Sequence, residues 1–201
     1  MSKSQHLSFI LASASPRRKK LLKKAGYRFK VVPSSVDESM FDAEEVSPLE
    51  HSIRLAVAKA LDIAIKNPEK FVMGADTVVD IDGKYIGKAE DSQEAEWITR
   101  LLFSRPHKVI TAVALIRAED KAEFIETDTT VVYPKILTDE QIAKHIKSGK
   151  WRGKAGAYAI QECGDEFVAK IDGSLTNVMG LPMEIVEKML KEAEKKGDIK
   201  P

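Results

Sequence analysis

Two adjacent arginines, Arg17 and Arg18, stand where the sequence predicts the first turn of a helix. Ser15 is a favourable N-cap residue and Pro16 suits the first helical position. Cations are unfavourable at the positive end of the helix dipole, whereas an anion bound by free backbone N–H groups is stabilised there. We therefore predict that both arginines and the Ser13 hydroxyl hold an anion, with phosphate as the obvious candidate. The alternative is that both arginines point into solvent.

Acidic residues at two places are candidates for metal binding or catalysis. Asp76 lies within an apolar run, residues 71–79, that is typical of a buried strand. A carboxylate there is costly unless it has a partner, a metal or a function, and the small residues Gly74 and Ala75 leave room for a ligand. Glu38 lies in an acidic loop. The alternatives are that Asp76 is exposed at a strand end and that the acidic loop is solvated.

A second loop of small residues, Gly153–Gly156, leads into a predicted strand over Tyr158–Gln161. Small residues let the backbone approach a flat ligand, and Gln161 offers both a donor and an acceptor to the edge of a base. An ordinary glycine-containing turn explains the loop equally well. The histidines show no metal-ligand spacing and are interpreted as surface or core residues: His6, His51, His107 and His145.

Apolar periodicity predicts strands and helices in an irregular order. Strands are predicted at Leu7–Ala12, Phe29–Val32, Phe71–Val79, Tyr85–Ile86, Val109–Ile116, Phe124–Val132 and Phe167–Ile171. Helices are predicted to begin at Pro16, at the capping boxes of Ser47 and Thr138, and at Pro182, and Ser92 is predicted to cap a further helix that runs to Leu102. Residues 124–132 alternate in polarity, which is typical of a strand with one wet face. The turn at Asp82–Gly83 indicates a hairpin, so the pattern favours an α/β fold with a mixed sheet.

Composition narrows the class of protein. The 201 residues include 43% hydrophobic residues, enough for one compact soluble domain over residues 1–201, with a frayed tail at 196–201. With 32 basic and 31 acidic residues, the charge gives no case for nucleic-acid or membrane binding. A single cysteine, Cys163, excludes an intrachain disulfide and fits the cytoplasm. The apolar run at 7–12 is too short for a signal or a membrane span.

Seven short motifs follow one another along the chain. They are Ser13–Arg18, Val36–Glu38, Leu55–Ala60, Gly74–Val79, Gly87–Lys88, Lys154–Gln161 and Val178–Pro182. Together they resemble the Maf family of nucleoside triphosphate pyrophosphatases. The resemblance extends from about Leu11 to about Leu190, and seven motifs in order are much more specific than one.

The resemblance implies an elongated mixed-sheet α/β fold, similar to that of inosine triphosphatase, with two lobes around a central cleft. It implies hydrolysis between the α and β phosphates of a nucleoside triphosphate, giving the monophosphate and pyrophosphate. Gly74–Thr77 and Ile160–Gln161 are most similar to the subfamily that acts on dTTP and UTP, in the house-cleaning of nucleotide pools. A homodimer is also implied.

The site residues follow by motif position. Asp76 is expected to be the catalytic base, while Arg17, Thr77 and Gln161 help to set substrate choice. Ser13, Arg18, Lys59 and Lys88 are expected to bind the phosphates. Glu38 and Asp76 offer hard oxygen ligands to Mg²⁺ or Mn²⁺.

The sequence is compatible with other functions as well. The Maf name is linked to septum formation, so the chain could be a nucleotide-binding regulator of cell division without turnover. Carboxylates at Glu38 and Asp76 favour the enzyme, because phosphate binding alone gains nothing from negative charge without a metal. Enzymes acting on ITP-like purine nucleotides or on 7-methyl-GTP are further alternatives.

Overall fold

The computed structural model describes residues 8–41, 46–158 and 167–197. The strands are β1 (Phe9–Leu11), β2 (Phe29–Val31), β3 (Val72–Ile81), β4 (Lys84–Ile86), β5 (His107–Arg117), β6 (Ala122–Pro134) and β7 (Val168–Asp172). The helices are α1 (Pro16–Lys24), α2 (Pro48–Ala64), α3 (Ser92–Leu102), α4 (Asp139–Ser148), α5 (Leu175–Val178) and α6 (Met183–Gly197), with a 3₁₀ turn at Glu38–Met40.

The described strands form one mixed sheet in the order β2-β1-β3-β5-β6-β7, with β4 added to β3. The β1 pairs with β2 and β3 are parallel, whereas the pairs among β3, β5, β6 and β7 are antiparallel. With 13 residues, β6 spans about 40 Å, which makes the sheet elongated. The predicted mixed α/β architecture is therefore confirmed.

One edge of β3 is paired in two separate places. Val72 and Met73 pair with β1, and residues 79–81 pair with β4. Between these places, among the strands that the structure describes, Gly74–Val78 has no neighbour on that edge. Asp76 and Thr77 lie in this gap. Their side chains point to opposite faces of β3, and both faces can border one cavity at the unpaired edge.

Helices cover both faces of the sheet. Helix α2 packs on one face through small residues such as Ala56 and Ala60. A Cβ added to Gly74 would lie 2.7 Å from the Ala60 nitrogen and would overlap the Ala56 carbonyl. Gly74 therefore brings α2 close to β3, and Ala75 is buried in the opposite core. The expectation that these small residues leave room for a ligand is wrong, because protein atoms fill that space.

Most predicted helix starts are confirmed by their caps. Ser15 and Ser47 accept hydrogen bonds from the expected backbone N–H groups, and Thr138 forms the complete capping box. The prediction that Ser92 caps α3 is wrong, because the Asp91 carboxylate accepts from two N–H groups of the first turn. Helix α5 was not predicted, since four residues are too few for a periodic pattern.

Hydropathy alone does not predict which face of β6 is exposed to solvent. Thr130 and Val132 are fully buried, whereas Ile125 on the other face is 39% exposed. The hydroxyl of Thr130 is satisfied by the Ser174 backbone, so burying it is not costly. Among the described residues, no helix has both the length and the apolar character needed to cross a membrane.

Candidate functional site

A cavity of about 640 Å³ lies against the gap in the edge of β3. Its walls are the turn between β1 and α1, the start of the 3₁₀ turn, the middle of α2, and two loops near residues 153–155 and 178–180. All eight described members of the predicted site line it: Ser13, Arg17, Arg18, Glu38, Lys59, Asp76, Thr77 and Lys88. Segments far apart in the sequence therefore meet here.

Arg18 is held inside the site. Its Nε donates to the Gly180 carbonyl at 2.7 Å, its Nη1 to Ser13 Oγ at 3.2 Å and its Nη2 to Thr77 Oγ1 at 3.0 Å. These bonds exclude, for Arg18, the alternative in which the side chain points into solvent. Burial lowers the pKa of the Arg18 guanidinium from its usual value, against a raising effect of Asp76, and the group remains charged at neutral pH. Arg17 lies beside it on the cavity wall.

Carboxylates and ammonium groups alternate along the opposite wall. Lys59 Nζ lies 2.7 Å from Asp76 Oδ1 and 2.8 Å from Glu38 Oε1. Lys88 Nζ lies 2.8 Å from Glu38 Oε2. The side chains of Lys59 and Asp76 are only 11% and 9% exposed, so this pair is shielded from bulk water. Sequence reasoning missed the direct contact of Lys59 with both carboxylates.

The pKa of Glu38 reflects its two cationic neighbours. Burial raises the pKa, but the hydrogen bonds and charges of Lys59 and Lys88 outweigh burial and lower it from 4.5 to about 2. Burial together with the charges of Asp76 and Glu38 raises the pKa of nearby Tyr85 to about 12. Glu38 is therefore an anion, and Tyr85 a neutral phenol, throughout the physiological pH range.

Thr77 lies on the other face of β3 from Asp76, because side chains alternate along a strand. Its hydroxyl lies 3.0 Å from the hydroxyl of Thr111, the residue opposite it on β5. Thr111 donates in turn to the Asn177 carbonyl at 3.2 Å. On this wall, neutral hydroxyl and carbonyl groups are linked to one another by hydrogen bonds, and the first of them, Thr77, accepts from Arg18.

The charges of the cavity favour a polyanion. Of the described residues that line it, six are basic and two are acidic: Arg17, Arg18, Lys59, Lys88, Arg152 and Lys154, against Glu38 and Asp76. The formal excess of four positive charges matches the roughly four negative charges of a nucleoside triphosphate.

Two carboxylates converge on one point, since Glu38 and Asp76 both contact Lys59 Nζ. Among residues 8–41, 46–158 and 167–197, no three His, Cys, Asp or Glu side chains cluster as a metal site. Mg²⁺ is commonly held by one or two carboxylates, with water and substrate phosphates completing its shell. The pair therefore suits a divalent cation that is shared with a phosphate ligand.

Several cavity residues were not predicted. Arg152 was not singled out, although a basic residue just before a glycine-rich loop is a signal that could have found it. Gly180 contributes only a carbonyl, which no sequence pattern reveals. Gln161 and the strand predicted over Tyr158–Gln161 lie outside the described residues beyond Tyr158, as do His6 and Cys163.

The three described histidines are buried, as the core interpretation requires. Burial lowers the pKa of His107 to about 4, and its ring nitrogens contact the Leu102 carbonyl and the Tyr158 hydroxyl. Because a carbonyl only accepts, Nδ1 of the neutral ring carries the proton and Tyr158 donates to Nε2. His107 therefore fixes the position of the Tyr158 hydroxyl, and Tyr158 is one of the residues that line the cavity.

Comparisons with known proteins agree with this geometry. A family model described as Maf-like protein matches residues 8–193. A dTTP/UTP pyrophosphatase of Citrifermentans bemidjiense is 44% identical over 90% of this chain and 93% of its own. Enzymes of the same name from Geotalea uraniireducens and Ruminiclostridium cellulolyticum are 45% and 38% identical, over 90% and 94% of this chain and 92% and 97% of theirs.

Solved structures support the fold. The HAM1 protein of Coxiella burnetii matches with a TM-score of 0.54 at 15% identity, over 94% of this chain and 99% of that one. The Ham1 protein of Staphylococcus aureus matches with a TM-score of 0.52 at 13% identity, over 92% and 99%. The predicted fold, similar to that of inosine triphosphatase, is thereby confirmed.

Proposed function

Because this chain belongs to the Maf-like protein family, we propose that it is a dTTP/UTP pyrophosphatase that yields a nucleoside monophosphate and pyrophosphate. The observation that carries the proposal is a cavity with an excess of four positive charges beside a buried carboxylate. A triphosphate needs the first feature, and a hydrolytic water needs the second. A regulator without turnover would gain nothing from the carboxylates.

The basic wall binds the phosphates. Arg17, Arg18 and the N-terminal end of α1 face the cavity together, and Ser13 adds a hydroxyl. Guanidinium groups match phosphate oxygens in geometry as well as in charge, and these groups meet the charge that develops on phosphorus in the transition state. Lys88 serves the outer phosphates from the edge of the cavity.

Asp76 acts as the general base. Its carboxylate takes a proton from a water that attacks the α phosphorus, and the bond from that phosphorus to the bridging oxygen of pyrophosphate breaks. Lys59 holds Asp76 Oδ1 in place at 2.7 Å. Pyrophosphate leaves with the bridging oxygen, and the proton passes from Asp76 to solvent.

Glu38 and Asp76 would hold a divalent cation, Mg²⁺ or Mn²⁺, in company with the substrate. When bound, such a cation neutralises phosphate charge and lowers the pKa of water. Arg17, Thr77 and Gln161 are proposed to set the preference for pyrimidine nucleotides. We further propose that residues 1–201 form one domain and pair as a homodimer, which light scattering would measure.

The proposal is tested by incubating the protein with dTTP, UTP, CTP, ITP and 7-methyl-GTP in Mg²⁺ and following the products by ³¹P NMR. We expect pyrophosphate and the monophosphate, with dTTP and UTP turned over fastest. Release of orthophosphate would show the wrong reaction. A preference for ITP or 7-methyl-GTP would show the wrong substrate, and binding without turnover would favour a regulator.

A further inference from the structure

Thr111 carries a hydroxyl that the chemistry above does not use. The residue is fully buried in the middle of β5, directly opposite Thr77. Buried hydroxyls need partners, and this one contacts two oxygen atoms: Thr77 Oγ1 at 3.0 Å and the Asn177 carbonyl at 3.2 Å. It connects the cavity wall to α5.

The direction of these hydrogen bonds follows from counting protons. A carbonyl can only accept, so the Thr111 hydroxyl donates its one hydrogen to the Asn177 carbonyl. It must then accept a hydrogen bond from the Thr77 hydroxyl. Thr77 in turn accepts from Arg18 Nη2. The competing arrangement would send the Thr77 proton to the Gly180 carbonyl at 3.4 Å, which is the longest of these contacts. Each hydrogen bond therefore points the same way: Arg18 donates to Thr77, Thr77 donates to Thr111, and Thr111 donates to the Asn177 carbonyl.

The bonds close into a circuit. The Asn177 carbonyl also accepts from the Gly180 N–H at 2.7 Å, and the Gly180 carbonyl accepts from Arg18 Nε at 2.7 Å. Asn177 itself is fixed, because its side-chain amide donates to the Val109 carbonyl and to Thr130 Oγ1. Gly180 has a φ of +104°, a conformation that favours glycine, so the turn is specified by sequence.

We propose that Thr111 is a positioning residue for phosphate binding, and that it acts by fixing the Thr77 hydroxyl so that a lone pair of its oxygen stays directed at Arg18 Nη2. Without the Thr111 hydroxyl, the Thr77 hydroxyl rotates to donate to the Gly180 carbonyl, and its lone pairs turn away from Arg18 Nη2. The guanidinium then loses one of the three hydrogen bonds that fix its plane. This role extends the proposed function to a residue that never touches the nucleotide.

The test compares Thr111→Val, which keeps the shape but removes the hydroxyl, with Thr111→Ser, which keeps the hydroxyl. The probes are the affinity for inorganic pyrophosphate by calorimetry and kcat/KM with dTTP. We expect Thr111→Val to weaken pyrophosphate binding and lower kcat/KM about tenfold, and Thr111→Ser to restore both to within about threefold. Thr99→Val is the matched control, because Thr99 is equally buried but its hydroxyl donates within α3, to the Ala95 carbonyl.

A double-mutant cycle separates positioning from general destabilisation. If Thr111 acts through Thr77, Thr77→Val and Thr77→Val/Thr111→Val should have nearly the same pyrophosphate affinity. Independent, additive losses would overturn the proposal, as would unchanged affinity in Thr111→Val or an equal loss in Thr99→Val. If the wild type fails to hydrolyse dTTP but Thr111→Val still weakens pyrophosphate binding, the proposed function fails and the positioning role stands.

Discussion

Asp76 and Thr77 are neighbours in sequence, yet they lie on opposite faces of β3. Ion pairs dominate the Asp76 face, and hydrogen bonds between neutral groups dominate the Thr77 face. On the Asp76 face, four charged side chains alternate in sign, and Lys59 is shared between two carboxylates. On the Thr77 face, neutral hydroxyls and carbonyls hold the single charge of Arg18. Both faces border one cavity where, among the described strands, the edge of β3 is unpaired between β1 and β4.

The two faces of β3 differ in how they can respond to substrate: the Asp76 face can rearrange, whereas the Thr77 face is fixed. Charged groups can exchange partners when a metal or a phosphate arrives, so the Asp76 face can respond to substrate. Directional hydrogen bonds among buried neutral groups resist such exchange, because an unmade bond there is costly. We therefore expect variants on the Asp76 face to alter turnover and metal response, and variants on the Thr77 face to alter phosphate affinity.

The largest expected effect comes from removing the shared cation. Lys59→Met leaves Asp76 without its buried partner and should lower the free energy of unfolding by about 3–5 kcal/mol, measured by urea denaturation. Mg²⁺ should stabilise this variant more than the wild type, because a divalent cation can replace the ammonium between the carboxylates. Lys66→Met is the control, since Lys66 is 60% exposed and its partner Asp62 keeps hydrogen bonds from Ser34 and Ser35 when the ammonium is removed. Equal stability of Lys59→Met and the wild type would contradict the account.

A smaller effect is expected on the Thr77 face. Arg18→Lys keeps the charge but loses the planar fork that serves Ser13, Thr77 and Gly180. We expect kcat/KM for dTTP to fall about 10–100-fold, mostly through KM, in steady-state assays. Arg100→Lys, which changes a surface ion pair, provides the control. Retention of full kcat/KM by Arg18→Lys would remove the distinction between the faces.

The smallest effect concerns acid. Because the pKa of Glu38 is lowered from 4.5 to about 2, its contribution to stability is complete above about pH 4.5. That contribution is lost as the pH falls from 4.5 toward 2, since the unfolded chain binds the proton first. Glu38→Gln should therefore flatten the decline of stability in this window, by under about 1 kcal/mol because Glu38 is half-exposed. Thr77→Val should leave the decline unchanged, and the opposite pattern would contradict the account.

The sequence predicted the charged face better than the neutral one. Asp76 stands out because a carboxylate in an apolar strand is costly. On the neutral face only the arginine stands out, because it opposes the helix dipole, while the groups that hold it carry no such signal. Threonine is common in strands, so nothing distinguishes Thr111 before β5 is seen to pair with β3. The distinct role of Arg18 depends on Gly180, which is 162 residues away.

Local signals also located most helix starts, because caps act within four residues. They failed at Asp91, where two adjacent residues are both good caps and the carboxylate takes the position. The role of Gly74 was misread for a different reason. Its space is filled by α2, and contacts between helix and strand depend on tertiary packing rather than on local sequence.

The most direct test of the division between the two faces is Asp76→Asn, with turnover and dTTP binding measured on the same preparation in Mg²⁺. We expect kcat to fall at least ~100-fold, because the general base is lost, and the Kd for dTTP to change by less than about threefold. Near-normal turnover would contradict the role of Asp76. A loss of binding as large as the loss of turnover would show that the two faces do not have separate tasks.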